Sequence, residues 1–197
     1  MSTQLDFYFD FGSPTTYLAY KRLQQLEQQY DLELVYKPML LGGVFKATSN
    51  ASPVTIPAKG QYMSEHDMPR FAQRYGVELA FNPFFPINTL YLMRGVFAAR
   101  KLNCLPTYLD AVFQAMWVTK QNMGDLDVVA EVLHSAGLDA EALLAATQEP
   151  EIKQALIAAT EEAVSRGAFG APTMYIGDEM FFGQDRLDFV EERLRSA

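Results

Sequence analysis

The order in which hydrophobic patterns follow one another constrains this chain more than any single motif. Leu5-Asp6-Phe7-Tyr8-Phe9-Asp10-Phe11 is aromatic and roughly alternating, which predicts a β-strand. It passes through Gly12-Ser13-Pro14 into Tyr17, Leu18, Tyr20, Leu23 and Leu26, which recur at helical spacing. Leu32–Pro38 alternates again and is closed by a proline, a second strand. Leu40-Leu41-Gly42-Gly43 and the Ser-, Asn- and Pro-rich stretch Thr48–Pro57 predict a long irregular segment, of a length that usually serves function. From about Gly60 to Arg166 the period is helical, with breaks at Gly137 and Pro150. Thr173–Phe182 then predicts a hairpin turning at Gly177-Asp178, followed by an amphipathic helix over Arg186–Leu194.

The sum is βαβ, a helical block, then ββα. That order predicts an α/β fold in which residues 1–58 and 167–197 form one domain and residues 59–166 an inserted all-helical one. Two local signals narrow it to a thioredoxin-like domain. Ser13-Pro14-Thr15-Thr16 opens the first helix, where redox members of that fold carry Cys-x-x-Cys, and Gly170-Ala171-Pro172-Thr173 puts a proline directly before a strand, where the fold keeps a cis proline. Disulfide exchange is excluded there, because neither Ser13 nor Thr16 can form a mixed disulfide.

Composition excludes further classes. A net charge of −8 with no Lys/Arg cluster argues against a nucleic-acid surface. No apolar run approaches a membrane span, and Met1–Asp6 has neither a basic nor an apolar segment of the export type, so a cytoplasmic protein without membrane partners is expected. Cys104 is the single cysteine and, with His66 and His134 far apart in the chain, no metal-ligand spacing exists. Cys104 is expected to be a small buried hydrophobe, and the two histidines to be surface groups.

The motifs Phe9-Asp10-Phe11-Gly12-Ser13-Pro14 with Tyr17-Leu18-Ala19, then Leu40–Lys46 with Asn50, Lys59-Gly60-Gln61-Tyr62, Gly167–Pro172 and Phe181–Arg186 occur in an order that covers nearly the whole chain. In that order the sequence resembles the 2-hydroxychromene-2-carboxylate isomerases, of the kappa-class glutathione transferase group in the DsbA-like branch of the thioredoxin fold. The resemblance implies a homodimer that binds glutathione with its sulfur beside Ser13. Asn50 and Lys59 match positions that help hold the tripeptide. The backbone of Ala171, before Pro172, matches the partner of the cysteinyl unit, and Gln184 and Asp185 match the γ-glutamyl end. It also implies conversion of 2-hydroxychromene-2-carboxylate, a small aromatic carboxylate, to trans-o-hydroxybenzylidenepyruvate in naphthalene-type degradation. The chain departs from the family at Gly12 and at Thr15-Thr16, beside the sulfur, which bears on the substrate more than on the use of glutathione.

Taken alone, the same residues admit plainer roles. Ser13 before Pro14 is a common helix N-cap with proline at the first helical position. A helix amino terminus also favours an external thiolate, and no neighbouring general base would make Ser13 itself a nucleophile. Asp185 is an N-cap carboxylate or a partner for an ammonium group; Lys59 is a solvated lysine or a partner for a carboxylate; Asn50 is a turn residue or a ligand. Phe84, Phe85, Tyr91, Met93, Phe113 and Trp117 read first as core, with Phe85 and Trp117 as candidates for an apolar substrate slot. Three functions stay open at this point: the glutathione-dependent isomerase, a conjugating transferase on the same scaffold, and a binding module whose site lost its chemistry with its cysteines.

Overall fold

The computed structural model describes residues 2–196. Four strands, β1 (Thr3–Phe9), β2 (Leu32–Pro38), β3 (Thr173–Ile176) and β4 (Glu179–Phe182), form one sheet in the order β2-β1-β3-β4. β1 and β2 are parallel and joined by α1 (Pro14–Gln29), whereas β3 runs antiparallel to β1 and to its hairpin partner β4. Gly177 turns that hairpin at a φ of 61°, a left-handed conformation that favours glycine. The parallel pair needs a helical crossover and the antiparallel pair only a tight turn, which is the order of patterns in the sequence. Between the two pairs come α2 (Leu41–Thr48), α3 (Pro57–Tyr62), α4 (Met68–Tyr75), α5 (Leu90–Lys101), α6 (Leu105–Trp117), α7 (Leu126–Ser135), α8 (Ala140–Ala146) and α9 (Pro150–Ser165); α10 (Leu187–Arg195) closes the chain.

The period-2 alternation of β1 decides what each sheet face meets. Leu5, Phe7 and Phe9 are fully buried on one face and join Phe11 in the main core. Phe113 of α6 packs against this aromatic row, its ring centroid 4.7 Å from Phe11 and 4.6 Å from Tyr20. One hydrophobic core therefore runs from the sheet into the helical block without a break. Tyr8 points to the other face and packs with Met39, Val44, Ala163 and Tyr175. That face is covered by α9, where Glu162 accepts from the Tyr8 hydroxyl at 2.9 Å. α9 thus lies on the sheet, although its sequence falls within the 59–166 stretch.

Several sequence expectations are corrected here. The expected irregular stretch begins later, because Leu41–Thr48 is helical despite Gly42 and Gly43. The glycines weaken its helix propensity, but position 43 favours a small residue: a Cβ there would lie 3.1 Å from Thr160 Cγ2 of α9, a tight contact. Phe84 and Tyr91, expected in the core, are exposed, and Cys104 is only half-buried, with burial pushing its thiol pKa up. Among the described residues no helix is long and apolar enough to cross a membrane.

Candidate active site

The chain leaves β1 after Phe9 and turns at once into α1, and the turn is held by a buried carboxylate. Asp10 is 1% exposed. Its Oδ1 accepts from the Gly12 N–H at 2.9 Å and the Thr89 hydroxyl at 2.7 Å, and its Oδ2 from the Leu41 N–H at 2.8 Å. One side chain so fixes the start of α1, the start of α2 and the residue before α5 relative to one another. Trp117, at the end of α6, adds an indole N–H donated to the Phe11 carbonyl at 2.8 Å.

Burial pushes the Asp10 pKa above its ordinary value against the opposing effect of the three donors. A carboxyl group with a raised folded-state pKa contributes stability that is fully present below its unfolded-state pKa and is lost as pH rises through the folded one. The stability difference between the native protein and Asp10→Asn is therefore expected to shrink from acid toward neutral pH. Urea unfolding of both across that range measures it; a difference that grows with pH would mean that the three donors outweigh burial.

This turn presents Ser13 at the mouth of a cleft of about 280 Å³. Ser13 is the N-cap of α1: its Oγ accepts from the Thr16 N–H at 3.2 Å, with Pro14 in the first turn. The same hydroxyl lies 3.0 Å from Thr15 Oγ1 and donates to the Ala171 carbonyl at 3.2 Å. The capping role and the placement in a cleft are thus both realised by one atom. Ala171–Pro172 is a cis peptide, and the Pro172 carbonyl accepts from Gly183 N–H at 3.0 Å, which draws the end of β4 to the cleft. Among the described residues the Ala171 N–H has no protein acceptor.

The cleft wall gathers Ser13, Asn50, Phe85, Ala171, Gln184 and Asp185 from five separate stretches of chain. Their states differ. Asn50 is engaged at the rim, donating to the Phe169 carbonyl and accepting from the Ala51 N–H, each at 2.8 Å. Gln184 is buried and its side-chain oxygen takes the Tyr75 hydroxyl at 3.2 Å. Asp185 is half-exposed and paired with Arg186. Three expected residues are not part of the wall: Lys59 is exposed on α3, Trp117 is fully buried, and Pro172 lies behind Ala171, reaching the site only through its carbonyl bond to Gly183. Trp117 touches the site only through Phe11 and through the Phe85 ring, whose centroid is 5.9 Å away.

The structure adds wall residues that had no assigned role in the sequence: Leu41 and Phe45 of α2 and Phe182, which lie within the motifs of the family resemblance, and Val54, Met63 and Asp67, which lie outside them. Apolar groups dominate the side facing the helical block, as a flat aromatic ligand requires. Asp67 and Asp185 are the ionisable side chains of the wall, both acidic. Anion binding in the cleft therefore falls to the dipole at the amino end of the 16-residue α1 and to the Thr15 N–H, since Pro14 has no N–H and the Thr16 N–H is already held by Ser13.

Comparison with known proteins places this geometry. Residues 4–195 match the family model described as a DSBA-like thioredoxin domain. A 2-hydroxychromene-2-carboxylate isomerase from Pseudomonas putida is 33% identical, with 96% of this chain and 93% of that protein covered. A glutathione S-transferase kappa 1 from Caenorhabditis elegans is 28% identical over 98% of this chain and 91% of that protein. Among solved structures, a 2-hydroxychromene-2-carboxylate isomerase superposes with a TM-score of 0.88 at 32% identity, covering 98% of this chain and 95% of that one.

Proposed function

The chain is an enzyme of the DsbA-like thioredoxin family and belongs within it to the 2-hydroxychromene-2-carboxylate isomerases, and from that premise we propose that it isomerises 2-hydroxychromene-2-carboxylate to trans-o-hydroxybenzylidenepyruvate with glutathione as cofactor. On this reading it works as a cytoplasmic homodimer in the breakdown of naphthalene-type aromatics. The observation that carries the reading is the Ser13 hydroxyl at the amino end of α1, in a cleft to which the chain contributes no cysteine. A redox thioredoxin needs its own thiol at that point; here a thiol has to come from outside.

The residues present fit glutathione at most of its length. The Ala171 N–H is open to pair with a peptide unit, and the carboxylates Asp67 and Asp185 suit an α-ammonium group. The end of α1 suits a thiolate, and Ser13 is placed to donate to it in exchange for its bond to the Ala171 carbonyl. Asn50, Pro172 and Gln184 shape the cleft through the bonds described above. Lys59 is expected at the glycyl carboxylate, and its place on α3 outside the wall makes it the least supported of the set. When bound, glutathione supplies a nucleophilic sulfur for reversible addition to a conjugated alkene, which permits rotation about a former double bond. The protein lowers the cost by holding that sulfur ionised and by seating the aromatic acid against Phe85, Met63 and Val54, away from water.

The kappa-class relatives support a second reading, conjugation of small electrophiles at the same cleft. The product separates the two. Following conversion of 2-hydroxychromene-2-carboxylate with and without glutathione, the isomerase reading expects glutathione-dependent formation of the trans product with no glutathione consumed. A thioether product supports the transferase; turnover that ignores glutathione overturns both.

A further inference from the structure

On the opposite side of α2 from the cleft, α2, α5 and α9 enclose a second cavity of about 430 Å³, a volume that takes a small organic ligand. α2 carries both: Leu41 and Phe45 line the cleft, and Gly43 and Ala47 line the cavity. The cavity wall is largely apolar, with Leu90, Leu156 and Ile157 prominent, and Ile157 is half exposed.

Two cations enter this wall, Arg94 from α5 and Lys153 from α9. Three of the seven lysines pair within the fold, Lys21 with Asp110, Lys37 with Glu162 and Lys101 with Glu149 and Glu151. Among the described residues Arg94 and Lys153 join no ion pair, and Arg94 Nε is shut away from water without any hydrogen-bond partner. An unpaired buried donor on a charged group is a cost, and the partner the fold supplies to this guanidinium is the Tyr91 ring, whose centroid is 6.0 Å from its central carbon. Glu161 also lines the cavity, so the wall keeps one net positive charge in a chain of net charge −8.

We propose that this cavity is a second ligand site, for an amphipathic carboxylate. Its apolar body sits among Leu90, Leu156 and Ile157, and its carboxylate accepts from the Arg94 guanidinium, whose planar fork matches that group. The charge identifies the class: an uncharged hydrophobe would leave Arg94 as it is, and a cation would be repelled.

Titration of the full chain, labelled at Ile, Leu, Val and Met methyls, with 2-naphthoate tests this by NMR. Saturable shifts at Ile157 and Leu156 are expected, separately from any at Met63 and Val54, which report the cleft. Arg94→Met, and replacement of the acid by its uncharged methyl ester, are each expected to weaken binding at Ile157 roughly tenfold or more, the usual worth of a hydrogen bond to a charged group. Ala47→Trp, at an exposed position of the wall, is expected to abolish it without burdening the fold. Shifts confined to Met63 and Val54, or an affinity at Ile157 indifferent to Arg94→Met and to esterification, overturn the proposal. The readout does not use turnover, so it stands apart from the isomerase reading.

Discussion

Ser13→Ala is expected to lower glutathione-dependent turnover, as kcat/KM, by roughly 10- to 100-fold, the loss of one hydrogen bond to a charged group at about 1.5–3 kcal/mol. The same change removes the N-cap bond to the Thr16 N–H, at about 1 kcal/mol of stability. The two effects are separable because glycine caps nearly as well as serine, costing only a few tenths of a kcal/mol. Ser13→Gly is therefore expected to match Ser13→Ala in lost activity while keeping most of the stability. Steady-state kinetics and urea unfolding of both variants measure this. If activity tracks stability across the pair, Ser13 is a cap and nothing more.

Gly95→Ala is expected to be the most damaging small substitution in the helical block. Propensity alone gives the opposite sign, since alanine for glycine inside a helix gains about 1 kcal/mol. The packing decides otherwise: a Cβ at Gly95 would fall 1.9 Å from Tyr108 Oη and 2.5 Å from its Cζ. Tyr108 is buried and donates to the Leu92 carbonyl at 2.9 Å, so it has nowhere to retreat without breaking that bond. Overpacking at such a site costs about 1–3 kcal/mol or more, which exceeds the propensity gain. The urea midpoint of Gly95→Ala is expected to drop clearly. Tyr108→Phe removes the nearest atom, so the double variant should lose less than the sum of the single ones. A raised midpoint for Gly95→Ala would mean that α5 and α6 have room to separate.

Much of the fold was legible because its signals are local. The aromatic alternation of β1, the proline closing β2 and the glycine turn of the β3–β4 hairpin each specify an element within a few residues. α2 was missed for a reason that is not local: Gly42 and Gly43 look like a loop, and only the contact of position 43 with Thr160, far along the chain, shows why a small residue sits in a helix there. α9 looked like one more helix of the inserted block, since amphipathic periodicity says that a face is buried and not against what.

The site divides in the same way. Ser13 and Ala171 could be found because a Ser-Pro helix start and a proline before a strand are local features with a fixed place in the fold. Asp10 carried no signal; an aspartate between two phenylalanines reads as the polar side of a strand, and its three donors come from three separate segments. Trp117 and Phe85 were equal candidates from composition. The fold separates them by a few ångströms, with Phe85 on the cleft wall and Trp117 sealed behind it.

The most direct test of a Ser13-centred thiolate site is a titration of glutathione bound to the protein, following the ultraviolet absorbance of the thiolate as pH is raised, for the native chain and Ser13→Ala. Bound glutathione is expected to ionise well below the value of about 8.5 typical of a free cysteine thiol, and to shift back toward it in Ser13→Ala. A bound thiol that ionises at the free value, or identically in both proteins, would contradict the role of Ser13 and of the amino end of α1.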